Sequence, residues 1–140
     1  MRMSGQLTIE GDADMAHLAM LLDDAERFGQ SQNWPVDVAA QVRLALEEVI
    51  VNVVSYGSLG QGAPHLKIDL TQKESQLQIE VADNGMAFDP LQIAPPKLDA
   101  ALEEREIGGL GIFLVFQLMD SVRYQRRGDW NLLSMSKSLL

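Results

Sequence analysis

Leu44-Ala45-Leu46-Glu47-Glu48-Val49-Ile50-Val51-Asn52 is the stretch on which the fold turns. With Val42 before it and Val53 after it, the apolar residues Ala45, Leu46 and Val49 recur at helical spacing and form one stripe. The pattern predicts a helix from Val36 to Tyr56, stopped at Gly57. Glu48 and Asn52 lie four residues apart, so they sit about 40° apart around the axis and about 6 Å apart along it. Each borders the apolar stripe. A carboxylate and an amide oxygen on one helical face can serve a hard cation, directly or through its water. Magnesium is the natural candidate, because it keeps several waters and is shared with substrate phosphates. Asn52 is also a poor helix-interior residue. The same pair is what the solvated border of any amphipathic helix carries. Glu47, about 100° away, reads as an ordinary surface acid.

Outward from this helix the periodicity changes. Leu7 and Ile9 alternate with polar residues, which predicts a first strand. Asp12 or Asp14 then caps a helix whose apolar positions are Met15, Leu18, Ala19, Leu22 and Ala25. Ser31 to Pro35 is a linker, extended before its proline. Beyond Gly57, a glycine-rich loop leads to two alternating strands, Leu66-Ile68-Leu70 and Leu77-Ile79-Val81. Their short polar turn makes them an antiparallel hairpin. Asp89 to Glu106 has no clear period and carries Pro90, Pro95 and Pro96. A helix with Ile112, Val115, Leu118 and Met119 follows. Val122 and Tyr124 start a strand, Arg127-Gly128-Asp129 turns, and Trp130 to Lys137 is the last strand. The order suits an α+β two-layer sandwich: a mixed, mostly antiparallel sheet covered on one face by helices.

Two further motifs could carry chemistry. Asp83-Asn84-Gly85 puts a carboxylate where a buried strand breaks into a loop. There it could accept from an exocyclic amine, and Gly85 would let the backbone approach a planar ring. The triplet is equally ordinary turn chemistry. Gly108-Gly109-Leu110-Gly111 opens a helix, where free N–H groups attract phosphate. A hinge or a close helix contact reads the same way. The run is neither a phosphate loop ending in glycine-lysine-serine/threonine nor a dinucleotide fingerprint.

Composition narrows the classes. The 140 residues contain no cysteine, which excludes disulfides, thiolate metal sites and a cysteine nucleophile. Eleven basic against twenty acidic residues give a net charge of −9, which opposes nucleic-acid and anionic-membrane binding. Six acids lie between Glu10 and Glu26, whereas Arg123, Arg126, Arg127 and Lys137 against Asp129 reverse the balance near the end. No signal peptide and no spanning segment is visible, so the cytoplasm is the expected compartment. His17 and His65 have no metal-ligand spacing. Trp34 and Trp130 suit either anchors or interface residues. The length fits one domain over 1–140.

In this order and spacing the three motifs resemble the GHKL (Bergerat-fold) ATPases, and most closely their stand-alone anti-sigma-factor serine/threonine kinases. Phe88-Asp89-Pro90 and the flanking Ile107 and Ile112 belong to the match, which runs along nearly the whole chain. The resemblance implies that Glu48 is the catalytic acid and Asn52 the magnesium ligand. It implies that Asp83 binds the adenine amine, with Gly85 beneath the base. Gly108, Gly109, Leu110 and Gly111 would wrap the phosphates of ATP, and Asp89 to Ile107 would be the lid, with Arg105 near a phosphate. It implies a protein kinase that phosphorylates a STAS-type antagonist, sequesters a sigma factor or other client, and forms a homodimer. A non-catalytic ATP-binding module that only sequesters a partner is the alternative. Ala87 stands where the wider family often has a second glycine. The family's threonine near the last strands has only Ser134 or Asn131 to answer it.

Overall fold

Alternation at period two gives each strand one apolar face, and the five strands assemble around it. The computed structural model describes residues 4–57, 62–92 and 109–140. In chain order they form β1 (Gly5–Asp12), α1 (Met15–Ser31), α2 (Val36–Tyr56), β2 (His65–Lys73), β3 (Gln76–Asp83), a 3-10 turn (Pro90–Gln92), α3 (Gly109–Leu118), β4 (Ser121–Arg127) and β5 (Trp130–Ser138). The sheet order is β1-β2-β3-β5-β4. All four pairings are antiparallel, which sharpens the expected mostly antiparallel sheet.

Side chains alternate between sheet faces. Leu66, Ile68 and Leu70 of β2 therefore share a face with Leu77, Ile79 and Val81 of β3, and none is more than 2% exposed. Leu133 and Met135 of β5 extend that face, and Ala45, Leu46 and Ile50 of α2 are buried over it. The opposite face carries exposed Glu10, Lys67, Glu80 and Arg123. One wet face and one covered face is how antiparallel sheets commonly sit.

Local chemistry sets the helix ends. Of the two aspartates before α1, Asp14 is the cap, accepting from His17 N at 2.9 Å. His17 Nδ1 also lies 2.6 Å from Asp14 Oδ1, and this contact raises the imidazole pKa and lowers the carboxyl pKa. Gly57 ends α2 in right-handed helical geometry, not in the left-handed form typical of glycine caps. Glycine is required there because a Cβ would meet Val53 O at 2.6 Å.

The α1–α2 corner is pinned by an anchor. Asn33 takes the left-handed conformation, with φ of 58°. Trp34 then turns inward, and its Nε1 donates to the buried Gln72 Oε1 at 2.7 Å. Its ring meets Phe28 edge-on at 5.8 Å. A Cβ at Gly29 would stand 2.5 Å from Trp34 Cε3. The indole is held on both sides and has little room to move. Gly29→Ala is therefore expected to cost about 1–3 kcal/mol despite alanine's better helix propensity. A lower urea midpoint at unchanged slope would show it.

Candidate functional site

The register of β3 against β5 builds one end of the site. Asp83, the last residue of β3, stands opposite Leu66 on one side and Asn131 on the other. Both polar residues are only 5% exposed. Asp83 Oδ1 accepts from Gly85 N and from Asn131 Nδ2, each at 3.0 Å. Burial pushes the Asp83 carboxyl above its ordinary pKa, while these two bonds and the nearby Arg126 guanidinium pull the other way.

Asp83 and Asn131 line a pocket beneath α2. Its empty space, open mouth included, is about 430 Å³. Val49, Val53, Val81, Ile112 and Leu133 supply apolar walls, and Asn52 a polar one. Near its mouth Phe88 stacks on Tyr56, with centroids 4.5 Å apart and planes 13° from parallel.

Asn52 is 5% exposed, and among the described residues its buried Nδ2 has no hydrogen-bond partner. Leaving such a group unpaired costs about 1–3 kcal/mol. Half a turn of the amide would exchange its two polar atoms. An acceptor for Nδ2, or a cation for Oδ1, would answer the same need. One turn earlier, Glu48 is half-buried, and its pKa is raised first by burial and then by neighbouring Glu47. Its carboxylate lies against the first turn of α3. A Cβ at Gly111 would overlap Glu48 Oε2 and stand 3.1 Å from its Cδ. Gly111 is thus small so that Glu48 can fit.

Gly109, Leu110 and Gly111 form that first turn, and their N–H groups have no earlier helical carbonyl to bind. Gly108 and Arg105 lie outside the described residues, as does the expected lid beyond Gln92. Gly85 is placed beside Asp83, but its nearest neighbour is Gly57 O, 2.6 Å from where a Cβ would be. The turn is held further by Met86 N donating to Gly57 O at 3.0 Å, and by His65 N donating to Asn84 Oδ1 at 2.7 Å.

Between Ser134 and Asn131, register decides. Ser134 pairs with Glu80 on the open face, whereas Asn131 faces the pocket beside Asp83. Tyr124 of β4, which also lines the pocket, was not singled out by sequence; its hydroxyl donates to Asn131 Oδ1 at 2.6 Å. The available signal was an asparagine and a tyrosine on the apolar phase of adjacent strands. Asp12, Asp14 and His17 bring ligand-type atoms within 4.8 Å of one another at the start of α1, but none lines this pocket.

Comparison with known proteins identifies the family and the fold. The model of the histidine kinase-like ATPase domain matches residues 11–137. The serine/threonine-protein kinase BtrW of Bordetella bronchiseptica is 29% identical over 111 residues, covering 79% of this chain and 78% of that protein. The serine-protein kinase RsbW of Listeria monocytogenes is 33% identical over 86 residues, covering 59% of this chain and 55% of its own length. The RsbU and RsbW domains of Rv1364c from Mycobacterium tuberculosis superpose with a TM-score of 0.70 at 12% identity, over 96% of this chain and 32% of that one, which speaks to fold alone. The chain belongs to the histidine kinase-like ATPase domain family, with the GHKL fold, and is related within it to the anti-sigma-factor kinases RsbW and BtrW.

Proposed function

We propose that this chain binds ATP with magnesium and transfers the terminal phosphoryl group to a serine or threonine of a STAS-type antagonist protein. The observation that carries this reading is the convergence of three elements. Asn52, whose buried Nδ2 is unpaired among the described residues, and buried Asp83 line one pocket, and Glu48, one turn before Asn52, lies against Gly111 in the first turn of α3. The relatives named serine or serine/threonine kinases support the reaction class.

Asn52 fits a magnesium role because, with its amide turned over, the buried position that lacks a partner among the described residues would carry the ligand oxygen Oδ1. Bound there, the ion would neutralise phosphate oxygens, the main requirement of phosphoryl transfer. Asp83 accepts from the exocyclic amine of adenine. The N–H groups of Gly109, Leu110 and Gly111 donate to phosphate oxygens from the positive end of α3, with Gly108 and Arg105 continuing that cradle. Glu48 orients the acceptor hydroxyl and takes its proton; its raised pKa makes it a stronger base than a surface carboxylate. Gly85 keeps the Asp83 turn close to the end of α2.

The unphosphorylated antagonist competes with a sigma factor or another client for this chain, and phosphorylation releases it. The chain works in the cytoplasm as a homodimer. The outer edge of β1, unpaired among the described residues, and the adjoining groove, where Leu7 and Met20 stand among Thr8, Glu10, Asp24 and Arg27, would receive the second copy.

Labelled ATP mixed with candidate antagonists tests the reaction. Glu48→Gln is expected to keep ADP affinity and lose about 10²–10⁴ in transfer rate; a full rate would end its role as base. ATP binding without transfer to any antagonist would leave only a sequestering module. Gly111→Ala is expected to fold normally, since only the end of the Glu48 side chain must move. It should still cut transfer at least about tenfold by misplacing that carboxylate.

Asp83→Asn makes a double prediction. A carboxyl whose folded pKa is raised favours the fold below its unfolded pKa, and that contribution is lost as pH rises through the folded pKa. At pH 7 the ionised Asp83 therefore works against stability. The amide keeps an oxygen for Gly85 N and Asn131, so the variant is expected to gain about 0.5–2 kcal/mol while losing ADP binding. Thermal melts at pH 7 and calorimetric titration would read the two effects.

A further inference from the structure

Around Asp83 the donors that line the pocket are already engaged within the protein. Met86 N donates to Gly57 O at 3.0 Å. The Asn131 amide donates to Asp83 Oδ1 at 3.0 Å and to Met86 O at 2.7 Å. Its oxygen accepts the Tyr124 hydroxyl at 2.6 Å and Phe88 N at 3.3 Å. All four hydrogen-bonding positions of the amide are thus filled. The amide also cannot turn over, because Phe88 N–H only donates and the Met86 carbonyl only accepts. Among the described residues no hydrogen bond reaches Asp83 Oδ2. The Tyr124 hydroxyl already donates to Asn131 Oδ1 and keeps a lone pair. Asn52, the remaining polar side chain of the lining, belongs to α2.

We propose that Asn131, locked by Tyr124, is a positioning residue that sets base selectivity. It engages its own two N–H groups, Phe88 N–H and the Tyr124 hydroxyl, so that none of these donors faces the base. A purine with an exocyclic amine supplies the missing donor to Asp83 Oδ2. Its 6-oxo counterpart brings a carbonyl against that carboxylate oxygen, and neither the Asn131 amide, Phe88 N–H nor the Tyr124 hydroxyl is free to serve it. Removing Asn131 releases Phe88 N–H and the Tyr124 hydroxyl, which can then serve that carbonyl. This inference rests on the nucleotide reading of the pocket.

The test is calorimetric titration of the full chain with ADP and with IDP, each with magnesium. The wild type is expected to prefer ADP. In Asn131→Ala the ADP-to-IDP affinity ratio is expected to fall at least about tenfold, the value of one or more buried hydrogen bonds. In Tyr124→Phe it falls by a smaller factor. Gln125→Ala, whose side chain points to the other face of β4, leaves the ratio unchanged. If Asn131→Ala does not fold, Tyr124→Phe decides alone. Equal weakening of both nucleotides, or an unchanged ratio in the two variants, overturns the selectivity role and reduces Asn131 to a structural strut. A wild type that binds neither nucleotide overturns the nucleotide reading, and this inference with it. A wild type that binds both equally overturns this inference alone.

Discussion

The pairing of Asp83 with Asn131 is the contact on which the rest of the site depends. It joins strands that are distant in sequence, because the chain passes through α3 and β4 before β5 returns to lie between β3 and β4. A slip of one residue would turn the inward face of β5 outward. Asn131 would then leave the pocket, and Leu133 and Met135 would leave the core. The far end of the same ladder is secured where Leu139 N donates to Ser75 O at 2.8 Å. Lys137 Nζ, donating to Leu118 O at 2.7 Å, ties the end of α3 to β5. The helix that carries the glycine turn is thus fixed to the strand that orients Asp83.

A single helix, α2, carries both the core and half of the site. Ala45, Leu46 and Ile50 are fully buried, while Glu48 and Asn52 lie on the flank of the same stripe. The flank is held at some cost. Among the described residues the buried Asn52 nitrogen is unpaired, and burial raises the pKa of both Glu48 and Asp83. Asn52 and Asp83 line one pocket and Glu48 lies one turn from Asn52; groups that work against folding and gather in this way are what a binding site retains and a purely structural core discards.

The strands, the helices and the apolar stripe were legible in the sequence because each rests on local periodicity. The span of α2 agrees with its pattern, and the antiparallel hairpin of β2 and β3 follows from its short turn. The reasons for the glycines were not legible. Gly111 reads in sequence as a phosphate loop or hinge, yet what presses on it is Glu48, more than sixty residues earlier. Gly85 reads as clearance for a ring, yet its close neighbour is Gly57 O. Those contacts depend on how helices pack, which no local pattern encodes. The choice between Asn131 and Ser134 needed the β3–β5 register. The net charge of −9 opposed polyanions as a class, but backbone N–H groups at a helix start can hold phosphate without a basic patch.

The central claim is that Asn52, Asp83 and the first turn of α3 serve one ligand together. Titrating the isotopically labelled protein with magnesium-ATP, while following its amide resonances, tests that claim most directly. The account predicts that the side-chain amides of Asn52 and Asn131 and the backbone amides of Gly85, Gly109 and Gly111 shift together along one saturable curve. Shifts confined to the β1–α1 groove, or none at millimolar ATP, would contradict it.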